Sequence, residues 1–107
     1  MTNPASSDTR KAHAAAKAGV IGFTKALALE VGSHGVTANA VAPGLVDTPM
    51  LRGSGMPAEM LEQSRRQIPV GRLGTPDDVA AACAFLVSEE AGFVTGQVVS
   101  PNGGGWL

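Results

Sequence analysis

The apolar positions of the chain first fall into a long stretch with helical spacing. From about Thr9 to Val31, residues Val20, Phe23, Leu27 and Val31 recur at intervals of three and four and predict one apolar stripe. Ala15, Gly19, Gly22 and Ala26 form a second stripe of small residues. Alanine and leucine, both good helix formers, fill much of the remainder. Asp8 or Ser7 is placed to cap the start of this helix, and Gly32 its end. A helical glycine costs about 1 kcal/mol against alanine. Gly19 and Gly22 therefore predict that another backbone packs closely there. Because apolar residues occupy much of the circumference, the helix is expected to be covered on more than one side.

Beyond this helix the pattern shortens. Val36–Ala42 lacks strict polar alternation, as expected of a parallel strand covered on both faces, and Pro43-Gly44 ends it. Leu45–Gly55 reads as loop, and Pro57–Gln67 as a short helix opened by its proline. Pro69, Gly71 and Gly74 break the chain again. Thr75-Pro76-Asp77-Asp78 is a strong helix start: a capping hydroxyl, a proline in the first turn and two carboxylates at the positive end of the dipole. That helix should run to about Val87, with one further turn at Ser88–Ala91. Gln97–Ser100 reads as a second short strand stopped by Pro101, and 103–107 as a tail. Residues 1–8 read as a flexible start.

The order predicts an α/β chain with a long helix and then two short parallel strands connected by helices. A connection of this length implies a right-handed crossover. Two parallel strands make a poor sheet by themselves, so the pattern resembles one side of a larger, Rossmann-like sheet.

Composition narrows the picture modestly. At 107 residues the chain is one domain at most. With 44% hydrophobic residues but only 4% aromatics, a core must be built from Ala, Val, Leu and Gly. The net charge of −1, with both signs scattered, favours neither nucleic acid nor an anionic membrane. No apolar stretch approaches the roughly 20 residues that span a bilayer. The polar N-terminus has no signal-peptide core, so a cytoplasmic location is expected. Cys83 is the only cysteine, which excludes an intramolecular disulfide, and its apolar surroundings predict a small buried hydrophobe.

Four blocks carry a specific resemblance. They are His13-Ala14-Ala15-Ala16-Lys17-Ala18-Gly19 with its continuation to Lys25, Asn39-Ala40-Val41-Ala42-Pro43-Gly44-Leu45-Val46-Asp47-Thr48-Pro49-Met50, Gly71-Arg72-Leu73-Gly74-Thr75-Pro76-Asp77-Asp78-Val79-Ala80, and Phe93–Val99 with Asn102-Gly103-Gly104. In this order they resemble the active-site helix, the loop over the nicotinamide, the late helix and the final strand of short-chain dehydrogenases/reductases. The resemblance covers nearly the whole chain after about residue 10. It implies that residues 9–107 correspond to the C-terminal half of a Rossmann domain that transfers hydride between NAD or NADP and an alcohol or carbonyl.

The resemblance also assigns residues. Lys17 matches the lysine whose charge favours the ionised form of a catalytic tyrosine and which holds the nicotinamide ribose. That tyrosine stands one helical turn earlier, where this chain has His13, and the sequence contains no tyrosine. Imidazole can do acid–base work near neutral pH, but it is shorter than a phenol. An imidazolium would also face the like charge of Lys17. Alternatively, a one-residue deletion removed the tyrosine. Ser6 or Ser7 could descend from the family's substrate-binding serine, or both belong to the N-terminal tail. Pro43, Gly44, Val46 and Thr48 match the loop that meets the nicotinamide carboxamide through backbone groups and a hydroxyl. Met50, Met56 and Met60 follow in what would be an adaptable substrate lid. No Gly-x-x-x-Gly-x-Gly follows an apolar strand, the glycine clusters lying at 53–55 and in the tail, and no metal site is expected. The expectation is an oxidoreductase segment that is inactive alone. It would self-associate or pair with a complementary chain. The alternatives are a non-catalytic interaction module and a degenerate truncated product.

Overall fold

The computed structural model describes residues 7–105. Its helices are α1 (Ser7–Val31), α2 (Pro49–Arg52), α3 (Ala58–Arg66) and α4 (Pro76–Leu86). The strands β1 (Ala40–Val41) and β2 (Val98–Val99) form a two-stranded parallel sheet. This is the α/β arrangement expected, consistent with part of a Rossmann-like fold. The chain divides into two compact units: the chain up to Ala40 with Gly92–Val98, and Val41–Ala91 with the chain from Val99 onward. Most of the expected flexible start, residues 1–6, lies outside the described residues, as do Trp106 and Leu107.

In the first unit, α1 begins at Ser7, two residues ahead of the expected start, so neither Ser7 nor Asp8 stands before it as a cap. At its other end the helix tightens into a 3₁₀ turn over Gly32–His34. Gly35, at φ 74°, is the left-handed residue that stops it, and its N–H donates to Gly32 O at 3.0 Å. The expected cap at Gly32 is thus displaced by one tight turn.

The expectation of cover on several sides is not met within this unit. Among the described residues of α1 only Thr24 and Ala28 are buried. Val20 is 59% and Phe23 68% exposed, and a Cβ built on Gly19 or Gly22 would meet nothing within 4 Å. The chain that lies along α1 reaches it near its C-terminal half. Lys25 Nζ donates to Gly96 O at 3.4 Å, and a Cβ on Gly96 would lie 3.5 Å from that of Ala28.

Polar side chains tie the rest of this unit. Asn39 Nδ2 donates to Val94 O at 3.0 Å, while its Oδ1 accepts from the Gln97 N–H at 3.0 Å. Thr95 Oγ1 accepts from the Ala38 N–H at 3.0 Å. These side-chain bonds stand where ladder bonds would otherwise extend the strands. The assigned strands are therefore shorter than the Val36–Ala42 and Gln97–Ser100 expected. Pro101, which has no N–H to donate, limits them at the other end.

In the second unit the loop expected over Leu45–Gly55 contains the short helix α2, capped by Thr48 Oγ1, which accepts from the Leu51 N–H at 3.1 Å. Pro57 stands at the N-cap of α3 rather than inside its first turn. Helix α4 forms as its opening sequence predicts. Thr75 Oγ1 accepts from the Asp78 N–H at 3.1 Å, and Asp78 Oδ2 accepts from the Thr75 N–H at 2.7 Å, a complete capping box. The second short turn follows at Glu89–Ala91. Ile68, Leu86 and Ala91 are the buried apolar residues among those described in this unit. Gly103, at φ 62°, lies so close to Ile68 that a Cβ would approach Cγ2 to 2.7 Å, which demands glycine there. Cys83 is exposed, contrary to expectation. Leu86 is the only buried residue of α4, so the flank that carries Cys83 has no cover.

Two outcomes follow from the α4 cap. Thr75→Ala should lower stability by about 1 kcal/mol, read as a lower thermal midpoint by circular dichroism. A midpoint unchanged from the wild type would contradict the cap's role. The Arg72 guanidinium and the Thr75 bonds hold the Asp78 carboxyl well below its usual range, and Arg65 draws Glu62 down to about 2. Folded-state values below the unfolded ones mean stability that is complete above the ordinary carboxylate range. It is lost as pH falls through that range toward the folded values. The thermal midpoint should therefore hold between pH 7 and about 5 and fall from about 4 down to 2, less steeply in Asp78→Asn.

Candidate functional site

The residues expected to carry chemistry fall into two groups, one in each unit. In the first unit His13 and Lys17 lie on α1 at a separation of four, which puts both on one face about 6 Å apart along the axis. Both are exposed. His13 lines a shallow open groove with Thr9, Ala12 and Ala16. Lys17 Nζ has no hydrogen-bond or ion-pair partner among the described residues, whereas Lys25, two turns on, is engaged with Gly96. Ser6 lies outside the described residues, and Ser7 is the first residue of α1.

In the second unit Pro43, Gly44, Val46 and Thr48 share one segment. The Gly44 N–H donates to Pro101 O at 3.2 Å. Val46 forms an isolated parallel bridge with Gly74: the Gly74 N–H donates to Leu45 O at 2.9 Å, and the Asp47 N–H donates to Gly74 O at 2.8 Å. These bonds use the groups on either side of Val46 and leave its own N–H and C=O without a backbone partner among the described residues. Val46 is half-buried, as is Thr48. Thr48 Oγ1 accepts from Leu51, so its O–H remains available as a donor.

This arrangement fits the group that the sequence implies. A carboxamide presents one carbonyl acceptor and an NH₂ donor. The N–H and C=O of Val46 and the O–H of Thr48 offer complementary groups on one short segment. Asp47 stiffens the same segment, since Arg52 Nε and Nη2 donate to its two carboxylate oxygens at 2.7 Å each. That bidentate pairing lowers the Asp47 carboxyl from its ordinary value. Sequence reading singled out Val46 and Thr48 but neither Gly74 nor the Asp47–Arg52 pair. The Asp47–Arg52 pairing has a signal, an acid and a base flanking a short helix, whereas the bridge to Gly74 has none.

Beside this segment a cleft of about 220 Å³ is lined by Leu45, Val70, Arg72, Gly74, Asp78 and the turn Pro101–Gly103. Its charged groups, Arg72 and Asp78, are satisfied by each other at 2.7 and 3.1 Å. Among the described residues no three His, Cys, Asp or Glu side chains cluster as metal ligands would, and no helix is long and apolar enough to cross a membrane.

Comparison with known proteins agrees with the sequence blocks. A family profile described as enoyl-(acyl carrier protein) reductase matches residues 3–105. An acetoacetyl-CoA reductase of Shinella zoogloeoides is 53% identical over 93 residues, which cover 86% of this chain and 38% of the relative. A 3-oxoacyl-(acyl-carrier-protein) reductase FabG of Vibrio cholerae is 50% identical over 95 residues, covering 89% of this chain and 38% of that protein. The FabG of Chlamydia muridarum is 46% identical over 92 residues, covering 86% of this chain and 36% of its own length. The chain thus spans less than two fifths of the length of these relatives. With a matching profile over almost its whole length, the helix that carries Lys17 and the Val46–Thr48 loop, the chain belongs to the short-chain dehydrogenase/reductase family.

Proposed function

We propose that this chain supplies the C-terminal part of an NAD(P)-dependent reductase that acts on the ketone of a 3-oxoacyl thioester, in a cytoplasmic setting. The observation that carries this reading is the unpaired N–H and C=O of Val46 beside the Thr48 hydroxyl. They lie in a chain half-identical to reductases whose names specify acetoacetyl-CoA and 3-oxoacyl carrier protein. Reduction of a ketone needs a hydride at carbon and a proton at oxygen. The nicotinamide, when bound, supplies the hydride. Val46 and Thr48 would hold its carboxamide, with Pro43 and Gly44 shaping the segment. Lys17, whose ammonium is free of other partners among the described residues, would bond the ribose hydroxyls.

The proton is the weak point. His13 stands where the family has tyrosine, and an imidazolium there faces Lys17 one turn away, a like-charge pair that opposes itself. The 107 residues contain no Gly-x-x-x-Gly-x-Gly between an apolar strand and a helix to hold a pyrophosphate. The reading therefore includes inactivity of these residues on their own. A second reading, an interaction module, is favoured by the apolar surface of the first unit, where Phe23 is 68%, Leu29 88% and Phe93 102% exposed.

The isolated chain should give no turnover of acetoacetyl-CoA with NADH or NADPH, and His13→Tyr alone should not rescue it. Turnover by the wild type that vanished in Lys17→Ala would overturn the inactivity. The decisive test joins the portion of the Shinella relative that precedes the match to this chain. With His13→Tyr the fusion should oxidise NADH or NADPH on acetoacetyl-CoA, and with His13 retained it should be slower by roughly a hundredfold or more. A fusion that carries His13→Tyr, folds and shows no activity sinks the reductase reading. For the interaction module, light scattering should show self-association that weakens in Phe23→Glu with Leu29→Glu. A monodisperse wild-type monomer with a cooperative melt would exclude it.

A further inference from the structure

We propose that Asp78 is a positioning residue for the Val46–Thr48 segment, acting through Gly74; the proposal rests on reading that segment as the one that faces the nicotinamide. Gly74 is the only backbone that pairs with Leu45 and Asp47 among the described residues, through bonds of 2.9 and 2.8 Å. An isolated bridge of two hydrogen bonds has no strand on either side to fix it, so its geometry depends on what holds Gly74.

The carboxylate of Asp78 holds the chain on both sides of that glycine. After Gly74, Asp78 Oδ2 accepts from the Thr75 N–H at 2.7 Å and from Thr75 Oγ1 at 3.0 Å. Before it, Arg72 Nη1 donates to Asp78 Oδ2 at 2.7 Å and Nη2 to Oδ1 at 3.1 Å, and Nη1 also donates to Leu73 O at 3.0 Å. Residues 72, 73 and 75 are thereby fastened to the first turn of α4, an eleven-residue helix. Gly71, at φ 87°, turns the chain ahead of this segment and is tied separately, its N–H donating to Ile68 O at 2.8 Å and its C=O accepting from Arg65 Nη1 at 2.9 Å. The sequence of constraints runs from α4 through Asp78 and Gly74 to Val46. The groups left free on Val46 are aimed by a carboxylate about thirty residues away in the chain, which is charge-assisted and geometrically specific.

Amide hydrogen exchange by NMR on the 107-residue chain tests this directly. In Asp78→Ala, exchange at the Asp47 and Gly74 amides should quicken by roughly tenfold or more, the loss of a charge-assisted bond. The Ala42 and Gly44 amides, which donate to Val99 O and Pro101 O, should stay within about twofold. Asp78→Glu, which keeps an acid at the third helical position, should restore most of the protection. If Asp78→Ala loses the circular-dichroism signal of the folded chain, Asp78→Asn is read the same way, because it keeps an acceptor for Thr75 and gives up the ion pair. Equal acceleration at all four amides, or no change at Asp47 and Gly74, overturns the proposal. A parallel titration with NADH and NADPH, made on the fusion with the preceding portion of the Shinella relative because this chain alone is not expected to hold a dinucleotide, follows the Val46 amide shift. Apparent affinity should fall roughly tenfold in Asp78→Ala and recover in Asp78→Glu. A wild-type Val46 amide that ignores both cofactors overturns the nicotinamide reading and the cofactor half of this proposal, while the exchange result separately decides the link from Asp78 to Gly74.

Discussion

Hydrogen bonds from polar side chains to backbone carry much of the order in both units, because little apolar surface is available to do so. Ala28, Ile68, Leu86 and Ala91 are the buried hydrophobic residues among those described, and two of the four are alanines. Fixing irregular chain costs about 1–2 kcal/mol per residue in backbone entropy, and alanine burial offsets little of it. Asn39, Thr95, Thr48, Thr75 and Asp78 each satisfy a backbone N–H that regular structure leaves unmet. Such bonds contribute about 1 kcal/mol each, but losing one also strands a polar partner. The segments that matter for function are held by this mechanism more than by packing.

This division explains what could be read from the sequence. The α4 start was legible because its determinants are local: Thr75 and Asp78 are three residues apart and satisfy each other. The end of α1 at Val31 was legible from periodicity, but the residue that stops the helical turns was not. Gly32 and Gly35 both qualify as terminators, and only the tightening into a 3₁₀ turn selects the second. The strands came out shorter than expected because Asn39 and Thr95 bond the backbone with side chains, a choice that a run of β-compatible residues does not announce. The cover inferred for Gly19 and Gly22, and for Cys83, was wrong within these residues for one reason. Periodicity says that a face is apolar, but it does not say that the covering chain lies in the same 107 residues.

The candidate site was legible to a different degree in each unit. His13 and Lys17 were found by resemblance, helical arithmetic puts them on one face, and the structure keeps both exposed. The loop residues were found by resemblance, yet the feature that makes Val46 chemically suitable is its bridge to Gly74, twenty-eight positions away. No local pattern encodes a pairing between two irregular segments. Arg72 and Asp78 were visible only as part of a helix start. Their ion pair gains meaning once Gly74 is seen to lie between the points that it fastens.

Binding and proton transfer place different demands on such a chain. The groups at Val46 proposed to face a carboxamide are main-chain atoms, which almost any side chain at that position would provide, given the bridge that orients them. Their survival depends on Gly74, Thr75 and Asp78 rather than on Val46 itself. The acid proposed for position 13 would be a side chain, and one substitution would remove its phenol outright. In the proposed site Lys17 would depend on that partner for half of its role, favouring an ionised phenol, and not for the other half, bonding a ribose. A chain of this family that lost tyrosine would therefore keep the geometry for holding a nicotinamide well after it lost the means to protonate a substrate. In that order of loss, His13 would bear on turnover and Asp78 on binding, as proposed, and the two defects would be separable.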